Sequence, residues 1–140
     1  MPGKEDYFLR HLSVLRQFLA QVAKLRVSGQ PEQAMVVLMQ AQEKLFCRPP
    51  SQVLALGLED QLRLLATGVS QEDARECQIG YALLLKEAGL CYADRGRPEI
   101  AATAFGTALR IVRTLEAGGA APEPELLDLA RDLSVLVSKK

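Results

Sequence analysis

Few residues in this chain have the type and spacing to do chemistry. His11 is the single histidine. A Ser- or Cys-based nucleophilic mechanism needs a general base, usually histidine, so it would have to draw on this one residue. It stands between Arg10 and Leu12, where a solvated imidazole on a helix surface is expected. The three cysteines, Cys47, Cys77 and Cys91, show no CxxC or CxxxC spacing. A zinc site needs four Cys/His ligands, usually in close pairs, so no metal is expected. The thiols read instead as partly buried groups in a reducing cytosol. Cys91, beside Tyr92, falls on a packing face, whereas reactive thiolates occupy exposed, electropositive places.

Carboxylates occur in pairs at Glu59-Asp60, Glu72-Asp73 and Asp128-x3-Asp132. Each pair lies at a helix start or on a polar face, where the helix dipole and solubility account for it. A general acid would need one carboxyl in an apolar pocket, and none stands out. Gly118-Gly119 precedes Ala-Ala-Pro and lacks the lysine and preceding strand of a phosphate-binding loop. No catalytic residue, cofactor or metal is expected.

The charge balance narrows the partners. Lys+Arg and Asp+Glu number 17 each, a formal net charge of zero. Nucleic-acid binding wants a basic surplus, and the basic pairs Lys24/Arg26, Arg110/Arg113 and Lys139/Lys140 carry no interleaved aromatics for stacking on bases. A polybasic membrane attachment is equally unsupported. The longest oily stretch, Ile79 to Ala93, is broken by Lys86 and Glu87 and is too short to span a bilayer. The N-terminus has no apolar signal region, and a cytoplasmic location is expected. Zero net charge also removes one defence against self-association, which makes a homodimer an expectation to test.

The elements that would position these residues are helices. Apolar residues recur at three- and four-residue spacing nearly throughout, and no stretch alternates as a strand would. The chain of 140 residues suits one all-α domain. A first helix is predicted over 4–27, with Phe8, Leu12, Leu15, Leu19 and Val22 in one stripe. Ser28-Gly29-Gln30-Pro31 ends it, and a second helix runs to Phe46, stopped by Arg48-Pro49-Pro50. Residues 51–68 suggest two short helical pieces around Gly57. Ser70 then caps a helix over about 71–95. Gly96-Arg97-Pro98 separates it from another over 98–116. Residues 117–124 read as a flexible connection. A last helix over about 123–138 places Leu126, Leu129, Ala130, Leu133 and Val137 on one face. Glu125, Asp128, Arg131 and Asp132 lie opposite, which suits a capping helix.

One self-match stands out. Gly29-Gln-Pro31-Glu32-Gln-Ala34 recurs 67 residues later as Gly96-Arg-Pro98-Glu99-Ile-Ala101. The same offset aligns Phe18 with Leu85, Leu25 with Tyr92, Leu38 with Phe105, Ala41 with Ala108 and Leu45 with Val112. Glycine permits the reversal of a helical hairpin and proline starts its return helix. Small residues let the two helices approach. Such a hairpin cannot bury its oily faces alone and must stack on another.

Leu85-x3-Gly89-x2-Tyr92-x3-Gly96-x4-Ala101-x3-Phe105-x2-Ala108 resembles the tetratricopeptide (TPR) repeat over residues 82–115. The earlier copy, residues 15–48, departs from it, with Val22 in place of the packing glycine and Leu25 in place of the tyrosine. Arg113 stands where a proline is usual. The offset equals about two periods of a repeat of roughly 34 residues, and residues 49–81 carry no readable repeat. With its Asp6-Tyr7-Phe8-Leu9-Arg10 opening, the whole chain also looks like a small uncharacterised bacterial family of TPR-like domains. The resemblance implies antiparallel hairpins, about 4–48 and 71–116, stacked as a short right-handed superhelix. An irregular insert would occupy 49–70, and the last helix would cap the stack.

In TPR proteins the first helix of each hairpin lines a concave groove that holds peptides. Carried over, that groove would be lined by Arg16, Leu19, Ala23, Arg26 and Val27, and by Leu83, Lys86, Leu90, Ala93 and Asp94. Carboxylate-binding TPR domains place Lys, Asn and Arg there, and this chain offers Lys86 and little else of that set. The apolar positions suit burial of the chain's own last helix or of a partner's helix. The expected function is a noncatalytic scaffold for protein–protein contact or self-association. The alternatives are a regulatory module binding a peptide or small ligand in the groove, and an enzyme or ligand carrier with a site between helices.

Overall fold

The structure, a computed structural model, describes residues 4–118 and 124–138, with side chains from residue 13 onward except at residue 50. Phe8, His11 and Leu12 therefore fall in the first helix with side chains outside the described residues, and most of the connection read at 117–124 lies outside them too. Among the described residues the chain is all-helical, with no strand. The helices are α1 (Lys4–Val27), α2 (Pro31–Phe46), α3 (Pro50–Leu54), α4 (Leu58–Ala66), α5 (Gln71–Asp94), α6 (Pro98–Ala117) and α7 (Pro124–Ser138).

The two predicted hairpins are α1–α2 and α5–α6, and they close in the same way. Gly29 and Gly96 both take left-handed backbone, with φ 79° and 75°. Gln30 N donates to Leu25 O at 2.9 Å, and Arg97 N donates to Tyr92 O at 2.9 Å. Gly29 N donates to Arg26 O and Gly96 N to Ala93 O, each at 3.1 Å. These paired bonds satisfy the orphan carbonyls at the end of the first helix of each hairpin. Pro31 and Pro98 then open the return helices, where a missing N–H costs nothing.

Helix α2 ends at Phe46, before the prolines, as the sequence predicts, and its cap is unusual. No glycine ends this helix; Cys47 itself adopts φ 54° before Pro49 and Pro50. A non-glycine residue in this conformation costs roughly 1–2 kcal/mol, and the prolines beyond forbid further helix.

Both α1 and α2 pack on α5, which also holds α6, so α5 is central to the described structure. Two glycines on α5 make this possible. A Cβ at Gly80 would lie 2.8 Å from Leu15 Cδ2 of α1. A Cβ at Gly89 would overlap the Phe105 ring of α6. Leu15, Val22, Ile79, Ile111 and Val112 fill the buried centre.

The irregular segment is tied down by one polar group. Gln61 on α4 is 7% exposed. Its Nε2 donates to Val53 O and Leu56 O, both at 3.1 Å, which caps the end of α3. Its Oε1 accepts from the Tyr81 hydroxyl of α5 at 2.7 Å. The Tyr81 ring meets Phe46 of α2 edge-on, 4.9 Å between centroids. Two short helices that could not stand alone are thus bonded to each other and to α5.

Helix α7 packs on α6 and touches the edge of α5. Leu126, Leu129 and Leu133 are fully buried, as the stripe predicted. Val137, assigned to the same stripe, is exposed near the end of the helix.

Candidate functional site

The chemistry-bearing residues are dispersed. Cys77 and Cys91 are buried on α5 and Cys47 is exposed after α2. Burial pushes the Cys77 thiol up to about 12, helped by the negative charges of Asp73 and Glu76. Burial pushes the Cys91 thiol up to about 11. Both are neutral thiols at physiological pH, as core cysteines are. Glu59 and Asp60 open α4, Glu72 and Asp73 open α5, and Asp73 N donates to the Ser70 cap at 3.1 Å. Asp128 pairs with Arg131 at 2.8 Å within α7. No group of three or more potential metal ligands occurs among the described residues, and none of their helices is long and apolar enough to cross a membrane.

Of the residues predicted to line a groove, Arg26 of α1 meets Asp94 of α5, and Arg16 of α1 and Lys86 of α5 both reach the charged edge of α7. Leu19, Ala23, Leu83 and Leu90 are half-buried, and the three leucines pack against the core. None of the four is fully exposed or fully buried. Val27, at the end of α1, is 79% exposed, and Ala93 is exposed at the end of α5.

The charged members of the set are engaged within the chain. Arg16 forms a two-pronged bond to Glu125 of α7, with NH1 to Oε2 at 3.0 Å and NH2 to Oε1 at 3.2 Å. The same guanidinium lies 3.7 Å from Glu76 of α5. The bond to Glu125 raises the Arg16 pKa against the opposing effect of burial. Lys86 of α5 reaches Asp132 of α7 at 3.3 Å. Arg26 of α1 stands 3.6 Å from Glu87 and 3.9 Å from Asp94 of α5. Three cations thus connect α1, α5 and α7 through five carboxylates.

Glu76, Glu87, Glu125 and Asp132 escaped the sequence reading of this face. Glu125 and Asp132 were legible as the polar side of α7, but nothing in the sequence says which cation they meet. Glu87 was visible only as an interruption in an oily stretch. Its environment is the least expected feature of the face: Glu87 Oε2 and Arg26 Nε are both inaccessible to solvent, and neither has a hydrogen-bond partner. Burial raises the Glu87 pKa above the ordinary glutamate range, with Arg26 and then Lys86 opposing.

A second concavity, about 620 Å³ in volume, opens at the far end of the first hairpin. Phe18, Gln40, Lys44, Cys47 and Arg48 are among the residues that line it. Its described lining residues include none of the residues predicted for the groove.

Compared with known proteins, this chain matches no family model, no curated protein and no solved structure.

Proposed function

We propose that this chain is a noncatalytic, TPR-like scaffold for protein–protein contact or self-association, acting in the cytoplasm through the face shared by α1, α5 and α7. One observation carries the reading. Two of the ion pairs that tie α7 to that face are open to solvent on at least one side, beside half-buried leucines: Arg16 and Asp132 side chains are 51% and 48% exposed. Exposed pairs contribute only about 0–1 kcal/mol each, so a partner can exchange them at small cost. The leucines beneath supply apolar area once the charges rearrange. Leu15 of α1 seats closely against Gly80 of α5, so the two helices that bear this face are packed together before a partner arrives. Nucleic acid is a poor partner for a surface of mixed charge.

A photo-crosslinking residue at Leu90, with Ile100 on α6 as the control position, tests the reading in cells. Crosslinks to one protein species, or to a second copy, from position 90 and not from position 100 are expected. Equal and scattered crosslinking from both positions overturns it. Sedimentation at micromolar concentration separates the two cases: a strict monomer excludes the second copy.

A further inference from the structure

We propose that Arg26 is a two-position clasp between the hairpins, bridging to Glu87 while that carboxyl is ionised and closing on Asp94 when it is protonated. The geometry places one cation between two carboxylates with neither contact complete. Arg26 Nε lies 3.6 Å from Glu87 Oε2, and Arg26 NH1 lies 3.9 Å from Asp94 Oδ2. Both distances exceed a hydrogen bond. The two carboxylates stand two helical turns apart on α5, and the one guanidinium lies within reach of both.

The two anchors differ in kind. Glu87 is the buried one, its side chain 17% exposed, and Asp94 is the wet one, 43% exposed. A desolvated ion pair is stabilising only when its geometry and hydrogen bonds are good, and Glu87 Oε2 and Arg26 Nε have none. Neutralising Glu87 removes the cost of its buried charge and frees Arg26 for Asp94. Asp94 is the last residue of α5, at the negative end of the helix dipole, where a carboxylate gains from a close cation. The raised pKa of Glu87 agrees with this order of protonation.

The other charges near this spot have partners of their own, and Lys86 also favours the ionised form of Glu87. From α5, Lys86 is engaged by Asp132 of α7 at 3.3 Å, and the Cys91 thiol is held neutral by burial. Arg95 is engaged by Glu32 of α2 at 3.6 Å. Among the described residues, α4 and α6 bring no ion pair to this spot.

The test is a pH titration of the labelled full-length chain by NMR, following the Glu87 side-chain carboxyl and the Arg26 Nε–H together. The Glu87 carboxyl is expected to titrate above the ordinary glutamate range, with the Arg26 signal moving at the same midpoint. In Glu87→Gln the Arg26 signal should hold its acid-side position at every pH. In Asp94→Asn the Glu87 titration should persist while the acid-side position of Arg26 shifts. An ordinary Glu87 midpoint, or an Arg26 signal that ignores Glu87, overturns the clasp. So does an acid-side signal indifferent to Asp94→Asn. Asp94→Asn changes an exposed residue, so this arm survives even if Glu87→Gln fails to fold.

Discussion

Gly89 of α5 lies directly against the ring of Phe105 on α6: a Cβ at position 89 would overlap Cε1 and come within 2.7 Å of Cδ1. The large side chain of one helix occupies the space the other leaves empty. The equivalent positions of the first hairpin, Val22 and Leu38, are both buried and divide their volume more evenly. The two hairpins therefore close alike at their turns and pack differently along their lengths.

Gly89→Ala should destabilise the fold. Replacing a helical glycine by alanine gains up to about 1 kcal/mol, but a clash with an aromatic ring in a filled core costs about 1–3 kcal/mol. A net loss of about 1–2 kcal/mol in urea unfolding is expected. Gly106→Ala on α6 meets nothing within 4 Å and should gain up to about 1 kcal/mol. Equal effects at the two glycines would contradict the seating of Phe105.

The attachment of α7 is apolar before it is ionic. Leu133, fully buried, should cost about 2–5 kcal/mol as Leu133→Ala. Arg16→Ala, which breaks the bridge to Glu125, should cost no more than about 1 kcal/mol because its side chain is half exposed. Thermal unfolding of the two variants, at low and high salt, ranks the contributions. Removing residues 118–140 should expose the seat of α7 and lower solubility; a truncated chain of unchanged stability would remove α7 from the core.

Thiol accessibility follows the burial pattern. With a thiol reagent at neutral pH, Cys47 should be labelled in the native state. Cys77 and Cys91 should react only on unfolding. Their folded pKa values are raised from 9.0 to about 12 and about 11. The unfolded chain therefore loses thiol protons first as pH rises. Stability should be complete below pH about 9 and fall as pH climbs towards the folded values. Rapid native labelling of Cys77 would place it outside the core.

Glu87 acts in the same sense at lower pH. Its folded pKa is raised, so ionised Glu87 detracts from stability above that value, and the penalty is relieved as pH falls towards the ordinary glutamate range. Glu87→Gln should be neutral or stabilising at pH 7. The advantage of the variant over the parent chain should shrink as pH falls through the Glu87 midpoint, a trend readable by urea unfolding at several pH values.

Local signals accounted for the helices and their ends. Three- and four-residue apolar spacing, Gly29 and Gly96 before proline, and the Ser70 cap are short-range instructions, and a helix satisfies its backbone within its own segment. The 67-residue self-match located the hairpins because equal turns need equal residues. Gln61 was not legible as a capping group, because its partners at Val53, Leu56 and Tyr81 depend on how α3 and α4 fold against α5. Nor could spacing show that Arg16 bridges to α7, or that Arg26 rests between two carboxylates.

The sequence by itself determined that this chain is helical, where it reverses, and which stripe of each helix is oily. Only the tertiary structure decided that the α1/α5 face is spanned by ion pairs to α7 and that Glu87 is a buried acid. The physical reason is range. Helix formation and capping act over a few residues, whereas ion pairing and desolvation depend on which helices come to lie side by side.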